Sequence, residues 1–342
     1  MAEHTKETLL TDLLRRVSRS FYLTLNVLPK PVRNQIGLAY LLARASDTIA
    51  DTELLPADQR LALLDAYGYA VQSQDASAPS MNAFIKRQAD DSEAELLRVC
   101  HQAIDVLRHS AEDDRVLIRE VLDIIISGQK LDLKRFHSSK DSTIVSLDAP
   151  DDLNDYTYRV AGSVGAFWTR MCLAHLRGRT GESPEEMERL GIRYGQGLQL
   201  VNILRDFQKD LSTGRCYLPR QLWEPTGWRP EAPNPHNEAF KELWKDHVHL
   251  AIDCLTDGWR YTMALPTSWT RVRLSCAWPI LLGIRTISMM ASPPLLNTQP
   301  AKVVRADVYE IIFRTMLSAP FPGMWDKLFQ HLNKQVKFLK KN

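Results

Sequence analysis

The hydrophobic residues of this 342-residue chain recur mostly every three or four positions, which is the period of an amphipathic α-helix. No run of short β-branched strands interrupts this pattern, and loops rich in proline, serine or charge lie near 75–82, 138–151, 222–236 and 292–301. The predicted helices span residues 7–25, 32–52, 57–74, 93–108, 112–132, 152–177, 184–210, 238–265, 268–290 and 303–336. Because no loop resembles a long flexible linker, we expect a single all-α domain over residues 1–342.

Two of the predicted helices carry a polar stripe through otherwise apolar sequence. In the first, Tyr40, Arg44, Asp47 and Asp51 follow spacings of four, three and four, so they share one helical face. Nearly every other position around them is apolar, which is typical of a buried helix. A stripe of this kind would face protein, where unpaired carboxylates are costly, and a bound cation would offset their charge.

The second stripe repeats this arrangement. Gln199, Asn202, Asp206 and Asp210 follow spacings of three, four and four, and Arg205 adjoins the first aspartate. A single aspartate pair is also compatible with a helix cap or a solvated helix face. Two such pairs within apolar helices favour a site for a hard divalent cation, and oxygen ligands without nearby cysteine or histidine favour Mg²⁺ over zinc. The adjoining arginines suit a bound phosphate.

Composition and charge exclude several other classes of protein. The content of 44% apolar and 25% charged residues is ordinary for a soluble globular protein, and a formal charge of +2 gives no footprint for nucleic acid. The five cysteines form no Cys-x-x-Cys pair, so neither a disulfide framework nor a thiolate zinc site is indicated. The sequence shows no signal peptide, and its longest apolar stretch, 274–291, is interrupted by Pro279 and Arg285. We therefore expect a cytoplasmic protein without a transmembrane helix.

The ordered motifs of the chain resemble the squalene and phytoene synthases, a family of head-to-head prenyl transferases. Ser18-Arg19-Ser20-Phe21 is similar to the first family block, and the two aspartate stripes are similar to the second and fourth. The third block resembles residues 156–165, which contain Tyr156 and the small residues Ala161, Gly162 and Gly165. A fifth, weaker similarity covers 276–279 and Lys302 to Arg305.

This resemblance implies an isoprenoid-synthase helical bundle with a central active-site cavity that binds two farnesyl diphosphates with Mg²⁺. The implied metal ligands are Asp47, Asp51, Asp206 and Asp210. The implied catalytic residues are Tyr156 and Tyr40. The implied substrate-binding residues are Ser18, Arg19, Ser20, Phe21, Arg44, Val160, Gly162, Gln199, Asn202, Arg205 and Arg215. The small residues 161, 162 and 165 fit either a prenyl tail or close helix packing.

The choice of reaction rests on smaller signals. The segment Asp47-Thr-Ile-Ala-Asp51 is more similar to the squalene branch, and Lys302 and Arg305, with Arg19 and Arg44, resemble an NADPH-binding set. Ala50 and Lys209 stand where many eukaryotic members have acidic residues, and the membrane anchor common in those enzymes is not seen, so a bacterial squalene synthase is expected.

Several alternatives remain open beside this expectation. Dehydrosqualene or phytoene synthesis, or release of presqualene diphosphate or hydroxysqualene, would need no reduction; a diphosphate hydrolase or a non-catalytic assembly factor is more remote. The basic run from Lys334 to Lys341 is compatible with peripheral contact to a membrane or with a solvated tail.

Overall fold

The computed structural model describes residues 12–18, 21–52, 54–85, 90–136, 144–234, 236–290, 303–319 and 321–336. The expected all-α architecture is confirmed, since helices account for nearly all the regular structure of these residues. The α-helices are α1 (Leu14–Ser18), α2 (Tyr22–Val27), α3 (Lys30–Asp51), α4 (Ala57–Gln72), α5 (Asn82–Ile85), α6 (Asp91–Arg108), α7 (Glu112–Arg135), α8 (Pro150–Thr157), α9 (Ser163–His175), α10 (Pro184–Ser212), α11 (Arg220–Trp223), α12 (Glu238–Ala264), α13 (Thr270–Ser288), α14 (Arg305–Leu317) and α15 (Pro322–Val336).

The chain divides into two compact units. One comprises residues 1–134 and 167–177, and the other comprises residues 135–166 and 178–342. The single domain expected from the sequence stays a prediction. In the described ranges the only strands are β1 (Val145–Ser146) and β2 (Arg215–Cys216), which pair in parallel within the second unit.

Helix α3 forms the centre of the first unit. It packs against α4 and α6, and most of its apolar residues between Ile36 and Ile49 are buried, as predicted for a helix that is apolar nearly all round. The hydroxyl of Tyr67 on α4 donates to the carbonyl of Leu42 at 2.9 Å, and Asp90 caps the start of α6. The packing of α6 against α3 brings Glu93 to the polar stripe.

Helix α10 forms the centre of the second unit. It begins at Ser183, whose hydroxyl accepts a hydrogen bond from the Glu186 amide, with Pro184 in the first turn. It ends where Gly214 adopts a left-handed φ of 80°, a conformation that a residue with a Cβ rarely takes. The chain then enters β2, and the amide of Val145 donates to the Gly214 carbonyl at 2.9 Å.

Glycines allow α10 to approach the segment 158–166 very closely. A Cβ at Gly165 would lie 1.9 Å from the carbonyl oxygen of Gly191, and one at Gly195 would lie 2.2 Å from that of Ala161. Of the two interpretations of the small residues, the structure therefore supports close helix packing for Gly165. A Cβ at Gly162 would meet Gln196 of α10 at 3.1 Å.

The predicted helix boundaries are wrong in three places. Residues 303–336 contain two helices rather than one: α14 ends at Leu317 and α15 begins at Pro322, whose nitrogen has no hydrogen for a continuous helix. Residues 152–177 contain a π-helical turn at Tyr158–Gly162 between α8 and α9. The first predicted helix appears as the short helices α1 and α2.

Two further observations concern the cysteines and the apolar content of the helices. The five cysteines are buried, and none forms a disulfide. None of the helices in the described ranges has both the length and the continuous apolar sequence of a membrane span.

Candidate active site

The polar stripe of α3 begins with an aromatic pair. The rings of Phe21 and Tyr40 stack with centroids 5.4 Å apart and an angle of 21° between their planes. Ser18, which was predicted to bind substrate, is buried and donates its hydroxyl to the carbonyl of Leu14. Arg19 and Ser20 lie outside the described residues.

Arg44 connects two acidic side chains on the next turn of the stripe. Its Nη2 donates to Glu93 Oε1 at 2.6 Å, and its Nη1 lies 3.5 Å from Asp47 Oδ2. Burial favours the neutral form of Arg44, but the charges of Asp47 and Glu93 outweigh this effect and raise the pKa of the guanidinium. Arg44 therefore stays charged and positions the first aspartate of the pair.

The carboxyl group of Asp47 is strongly perturbed by its surroundings. Its pKa is raised from 3.8 to about 6, chiefly by burial and next by the charge of Asp51, while Arg44 and Gln129 favour the ionised form. The Asp47 side chain is nevertheless 49% exposed to solvent, and Asp51 at the end of α3 is exposed. The stripe was predicted to be enclosed, but these carboxylates are reachable from solvent. A second cationic partner would complete the charge balance at Asp47.

Gln129 of α7 supplies the other polar contact to Asp47. Its Nε2 donates to Asp47 Oδ1 at 2.8 Å. Its Oε1 is buried and accepts no hydrogen bond from the described part of the chain. A buried acceptor without a donor is unfavourable by about 1–3 kcal/mol. Beside a carboxylate, such an oxygen suits a cation or its water ligands.

The second unit contains a cluster of three aromatic rings. Tyr156 stacks on Tyr217 with centroids 4.7 Å apart, and Tyr217 packs edge-on against Phe136 at 5.2 Å. The guanidinium of Arg215 lies 5.8 Å from the Phe136 ring centroid. The parallel pairing of β1 with β2 fixes Arg215 opposite Val145, at the end of α10.

Side-chain amides connect Tyr156 to the stripe of α10. Gln199 Nε2 lies 3.4 Å from the Tyr156 hydroxyl oxygen and donates to it, and Asn202 Nδ2 donates to Gln199 Oε1 at 3.4 Å. One turn further along, Arg205 binds both carboxylate oxygens of Asp206, at 3.0 and 2.6 Å. The hydrogen bond that Arg205 donates to Asp206 is the largest cause of the raised pKa of the Arg205 guanidinium.

Both aspartate pairs lie near the carboxyl-terminal ends of their helices. Asp51 is the last residue of α3, and Asp210 is two residues before the end of α10. The helix dipole places partial negative charge at this end, so a carboxylate there is unfavourable and a cation is favourable by about 0.3–1 kcal/mol. Local helix stability therefore does not explain these aspartates.

The donor chemistry of these residues fits Mg²⁺. Each pair offers carboxylates on one helical face, and the first adds the buried oxygen of Gln129. Within the described residues, no three His, Cys, Asp or Glu side chains lie close enough to form a metal site by themselves. The joint use of both pairs therefore stays a prediction.

The π-helical turn at Tyr158–Gly162 lies directly after Tyr156 and contains the predicted substrate residues Val160 and Gly162. Gly162 is buried against α10, whereas Val160 is half-buried. π turns are found frequently at functional sites because they change the direction of the side chains around them.

The predicted NADPH-binding residues are described only in part. Lys302 and Arg19 lie outside the described residues. Arg44 is bound to Glu93 and Asp47, and Arg305 is exposed as the first residue of α14. Of this set, Arg305 at a helix amino terminus is the described group best suited to a phosphate.

Comparison with known proteins is consistent with this geometry. The sequence profile of the family "Squalene/phytoene synthase" matches residues 14–307. The chain belongs to this family. Squalene/phytoene synthases are prenyltransferases, and the match covers both aspartate stripes and Tyr156.

The individual relatives of this squalene/phytoene synthase have different activities. A squalene synthase of Schizosaccharomyces pombe is 24% identical over 89% of this chain and 64% of its own length. A bifunctional lycopene cyclase/phytoene synthase of Blakeslea trispora is 36% identical over 63% of this chain and 33% of its own length. The chain thus spans less than two thirds of either relative. The solved structure of TcSQS with the ligand E5700 has a TM-score of 0.75 and 20% identity, covering 98% and 96% of the two chains, which shows the shared fold.

Four side chains that contact predicted site residues were not themselves predicted from the sequence. Glu93, Gln129 and Phe136 come from helices or turns without a polar stripe of their own, so their spacing carried no signal. Tyr217 lies two residues after the predicted substrate residue Arg215, but no signal in the sequence indicated a role of its own.

Proposed function

We propose that this chain is a squalene synthase. It joins two farnesyl diphosphates head to head through presqualene diphosphate, and it then reduces that intermediate to squalene with NADPH. The observation that carries the proposal is the pair of aspartate stripes, each ending a buried helix and each in contact with an arginine. The similarity to a squalene synthase over 89% of the chain supports it.

The charged residues of the stripes would hold the two diphosphates. Asp47, Asp51, Asp206 and Asp210 would hold Mg²⁺, which when bound neutralises the diphosphate leaving group and favours cleavage of its carbon–oxygen bond. Arg44 and Arg205 orient the first aspartate of each pair by direct hydrogen bonds or ion pairing. Arg215 adds positive charge next to β1 at the end of α10.

The aromatic cluster would stabilise the carbocations that form when diphosphate leaves. The ring of Tyr156 is stacked on Tyr217 and is thereby held in a fixed orientation. An aromatic face attracts a cation by about 0.5–2 kcal/mol, more when water is excluded. The hydroxyl of Tyr156 accepts a hydrogen bond from the Gln199 amide. It would take part in proton transfer to the released diphosphate when the cyclopropane ring closes and one proton is lost.

The final step distinguishes squalene synthesis from its alternatives. Reduction requires a hydride from NADPH, and Arg305 is the described residue that we assign to the cofactor's phosphate. Dehydrosqualene and phytoene synthases lose a proton instead. The local similarity to a phytoene synthase is the specific observation that keeps that second candidate function open.

Product analysis tests the proposal. The purified chain is incubated with Mg²⁺ and farnesyl diphosphate, with and without NADPH, and the products are separated by mass. We expect squalene only with NADPH, and presqualene diphosphate or its breakdown products without it. Dehydrosqualene formed irrespective of NADPH would contradict the proposal, as would simple hydrolysis to farnesol.

Matched variants on α14 test the cofactor assignment separately. In Arg305→Ala, we expect farnesyl diphosphate consumption to persist while the KM for NADPH rises by about tenfold, the typical effect of a lost phosphate contact. Arg314→Ala is the control, because Arg314 is also exposed on α14 but pairs with Glu310. An equal response of the two variants would contradict the role of Arg305.

A further inference from the structure

The strongest surface feature outside the site is a concentration of exposed apolar side chains in the last part of the chain. Of the fourteen exposed large hydrophobic residues among those described, seven lie between Val304 and Met324. Single exposed apolar residues are ordinary, but a contiguous group marks an interaction surface. We define the C-terminal face as six of them, each 54–66% exposed: Tyr309, Phe313, Met316, Leu317, Phe321 and Met324.

The C-terminal face is not the side by which α14 packs onto the protein. Tyr309, Phe313 and Met316 recur at i, i+4 and i+7, which is one face of the helix. The opposite side contains Ile311 and Thr315, which are buried. The indoles of Trp278 and Trp325 both donate to Thr315, one to its hydroxyl at 2.9 Å and the other to its carbonyl at 3.0 Å. These bonds fix the orientation of α14, so its second apolar side is left outward.

The face continues across the turn between α14 and α15. The amide of Phe321 donates to the Ser318 carbonyl at 2.8 Å, and the amide of Met324 donates to the Phe321 carbonyl at 2.9 Å. The turn is therefore held by its own backbone hydrogen bonds. It carries Phe321 and Met324 as further exposed apolar groups.

Positive charge borders the apolar residues. Met324, Lys327 and Lys334 are exposed and follow spacings of three and seven, so a basic stripe of two lysines extends along α15 from the apolar turn. In sequence, residues 302–342 contain eight lysines and arginines but three aspartates and glutamates, although the whole chain has a formal charge of only +2. The remainder of the chain is therefore net acidic.

We propose that the C-terminal face binds the surface of a bilayer that contains anionic lipids. Aromatic and aliphatic side chains beside lysines are the composition of helices that lie in the membrane interface, where apolar groups enter the acyl boundary and lysines meet lipid phosphates. A second copy of the chain is a less suitable partner. In a twofold-symmetric contact, the basic stripes of the two copies would lie close together and repel each other. The proposal does not depend on which prenyl product is formed.

Vesicle flotation of the full 342-residue chain tests this proposal. Vesicles of phosphatidylcholine alone are compared with vesicles that also contain phosphatidylglycerol, at low and high salt. We expect binding to the anionic vesicles, weakened by salt because the lysine contribution is screened. In Phe313→Asp/Phe321→Asp, binding to the anionic vesicles should fall by about tenfold or more, since both apolar anchors are replaced by charges that the membrane repels.

Two controls distinguish vesicle binding through the C-terminal face from nonspecific binding and from the effects of unfolding. Tyr69→Asp alters a 70% exposed tyrosine on α4 and should leave binding unchanged. Lys327→Glu/Lys334→Glu should reduce binding to anionic vesicles while leaving any weak binding to phosphatidylcholine alone. Melting curves should be alike for all variants, because every altered side chain is exposed.

Other outcomes would overturn the proposal. Failure of the wild-type chain to float with anionic vesicles contradicts it directly, and so does equal flotation of the Phe313/Phe321 variant. A wild-type dimer in sedimentation velocity that becomes a monomer in that variant, without vesicle binding, would assign the face to self-association instead.

Discussion

The side-chain amide of Gln129 on α7 donates a hydrogen bond to Asp47 Oδ1 on α3 at 2.8 Å, although the two residues are 82 positions apart in the sequence. Asp47 thus has three polar neighbours with different effects. Gln129 and Arg44 favour its ionised form, whereas Asp51 opposes it. The balance between these effects determines how readily the Asp47 carboxylate is available to a cation.

Replacing Gln129 by leucine should raise the pKa of Asp47 further, because a hydrogen bond to the ionised form is lost. We expect the acidic limb of the rate–pH profile to move to higher pH, so that activity falls more at about pH 6 than at about pH 8. Gln72→Leu is the control, since the Gln72 amide donates to an exposed backbone carbonyl on α7. A profile lowered equally at every pH would indicate a purely structural role for Gln129.

Replacing Asp47 by asparagine should stabilise the metal-free protein at neutral pH. The folded-state pKa of about 6 exceeds the ordinary value of 3.8. Between pH 3.8 and about pH 6, Asp47 loses its proton in the unfolded chain but keeps it in the folded protein. The free energy of unfolding therefore falls as the pH rises through this range, and it stays lower at higher pH. The melting temperature of Asp47→Asn in EDTA should therefore exceed that of wild type at about pH 8, and the difference should vanish near pH 4.

Asp206→Asn provides a matched contrast to that variant. Asp206 accepts hydrogen bonds from Nε and Nη2 of Arg205, so its substitution removes a favourable pair rather than a strained charge. We expect its melting temperature at neutral pH to be equal to or below that of wild type, while turnover with Mg²⁺ is largely lost in both variants. A parallel rise in stability for the two would contradict this distinction.

Replacing Tyr156 by phenylalanine should reduce turnover without unfolding the protein. The ring and its stacking on Tyr217 are retained, but the hydroxyl that accepts the Gln199 amide is removed. Loss of a group used in proton transfer typically lowers the rate by about 10²-fold or more. Steady-state kinetics should show a lower kcat with little change in KM, whereas Tyr69→Phe, at an exposed site, should be unaffected. An unchanged kcat in Tyr156→Phe would exclude the hydroxyl from the reaction.

Replacing Gly165 by alanine should destabilise the second unit strongly, because its Cβ would overlap the carbonyl of Gly191 and the backbones would have to separate. Overpacking of this kind is unfavourable by about 1–3 kcal/mol or more. At Gly323 nothing lies within 4 Å of an added Cβ, so Gly323→Ala should leave stability unchanged or raise it by up to about 1 kcal/mol. Urea denaturation of both variants measures the difference, and similar stabilities would contradict the close packing.

The sequence predicted most of the helices that carry the site, and local signals explain why. Helix α10 was predicted over 184–210 and spans Pro184–Ser212, since Ser183 and Pro184 mark its start. Helix α3 was predicted over 32–52 and spans Lys30–Asp51. Their polar stripes depend only on helical spacing, so the residues that share each face could be read directly from the sequence.

Contacts between distant segments could not be predicted in this way. Glu93 and Gln129 reach Arg44 and Asp47 through the packing of α6 and α7, and no periodicity in their own helices indicates it. Tyr217 meets Tyr156 because β2 pairs with β1 after Gly214 turns the chain, and a two-residue strand is too short to leave an alternating pattern. The burial that raises the pKa of Asp47 likewise arises from tertiary structure.

The π-helical turn between α8 and α9 has a consequence for how this segment tolerates change. A π turn is equivalent to one residue inserted into an α-helix, so it offsets the residues before it by about 100° relative to those after it. Tyr156 lies before the turn and Gly165 after it, and their two directions are thus set separately. Deletion of a single residue within 158–162 would restore a regular helix and rotate Tyr156 away from Tyr217 while Gly165 still faced Gly191. The length of this segment, as well as its composition, is therefore under constraint.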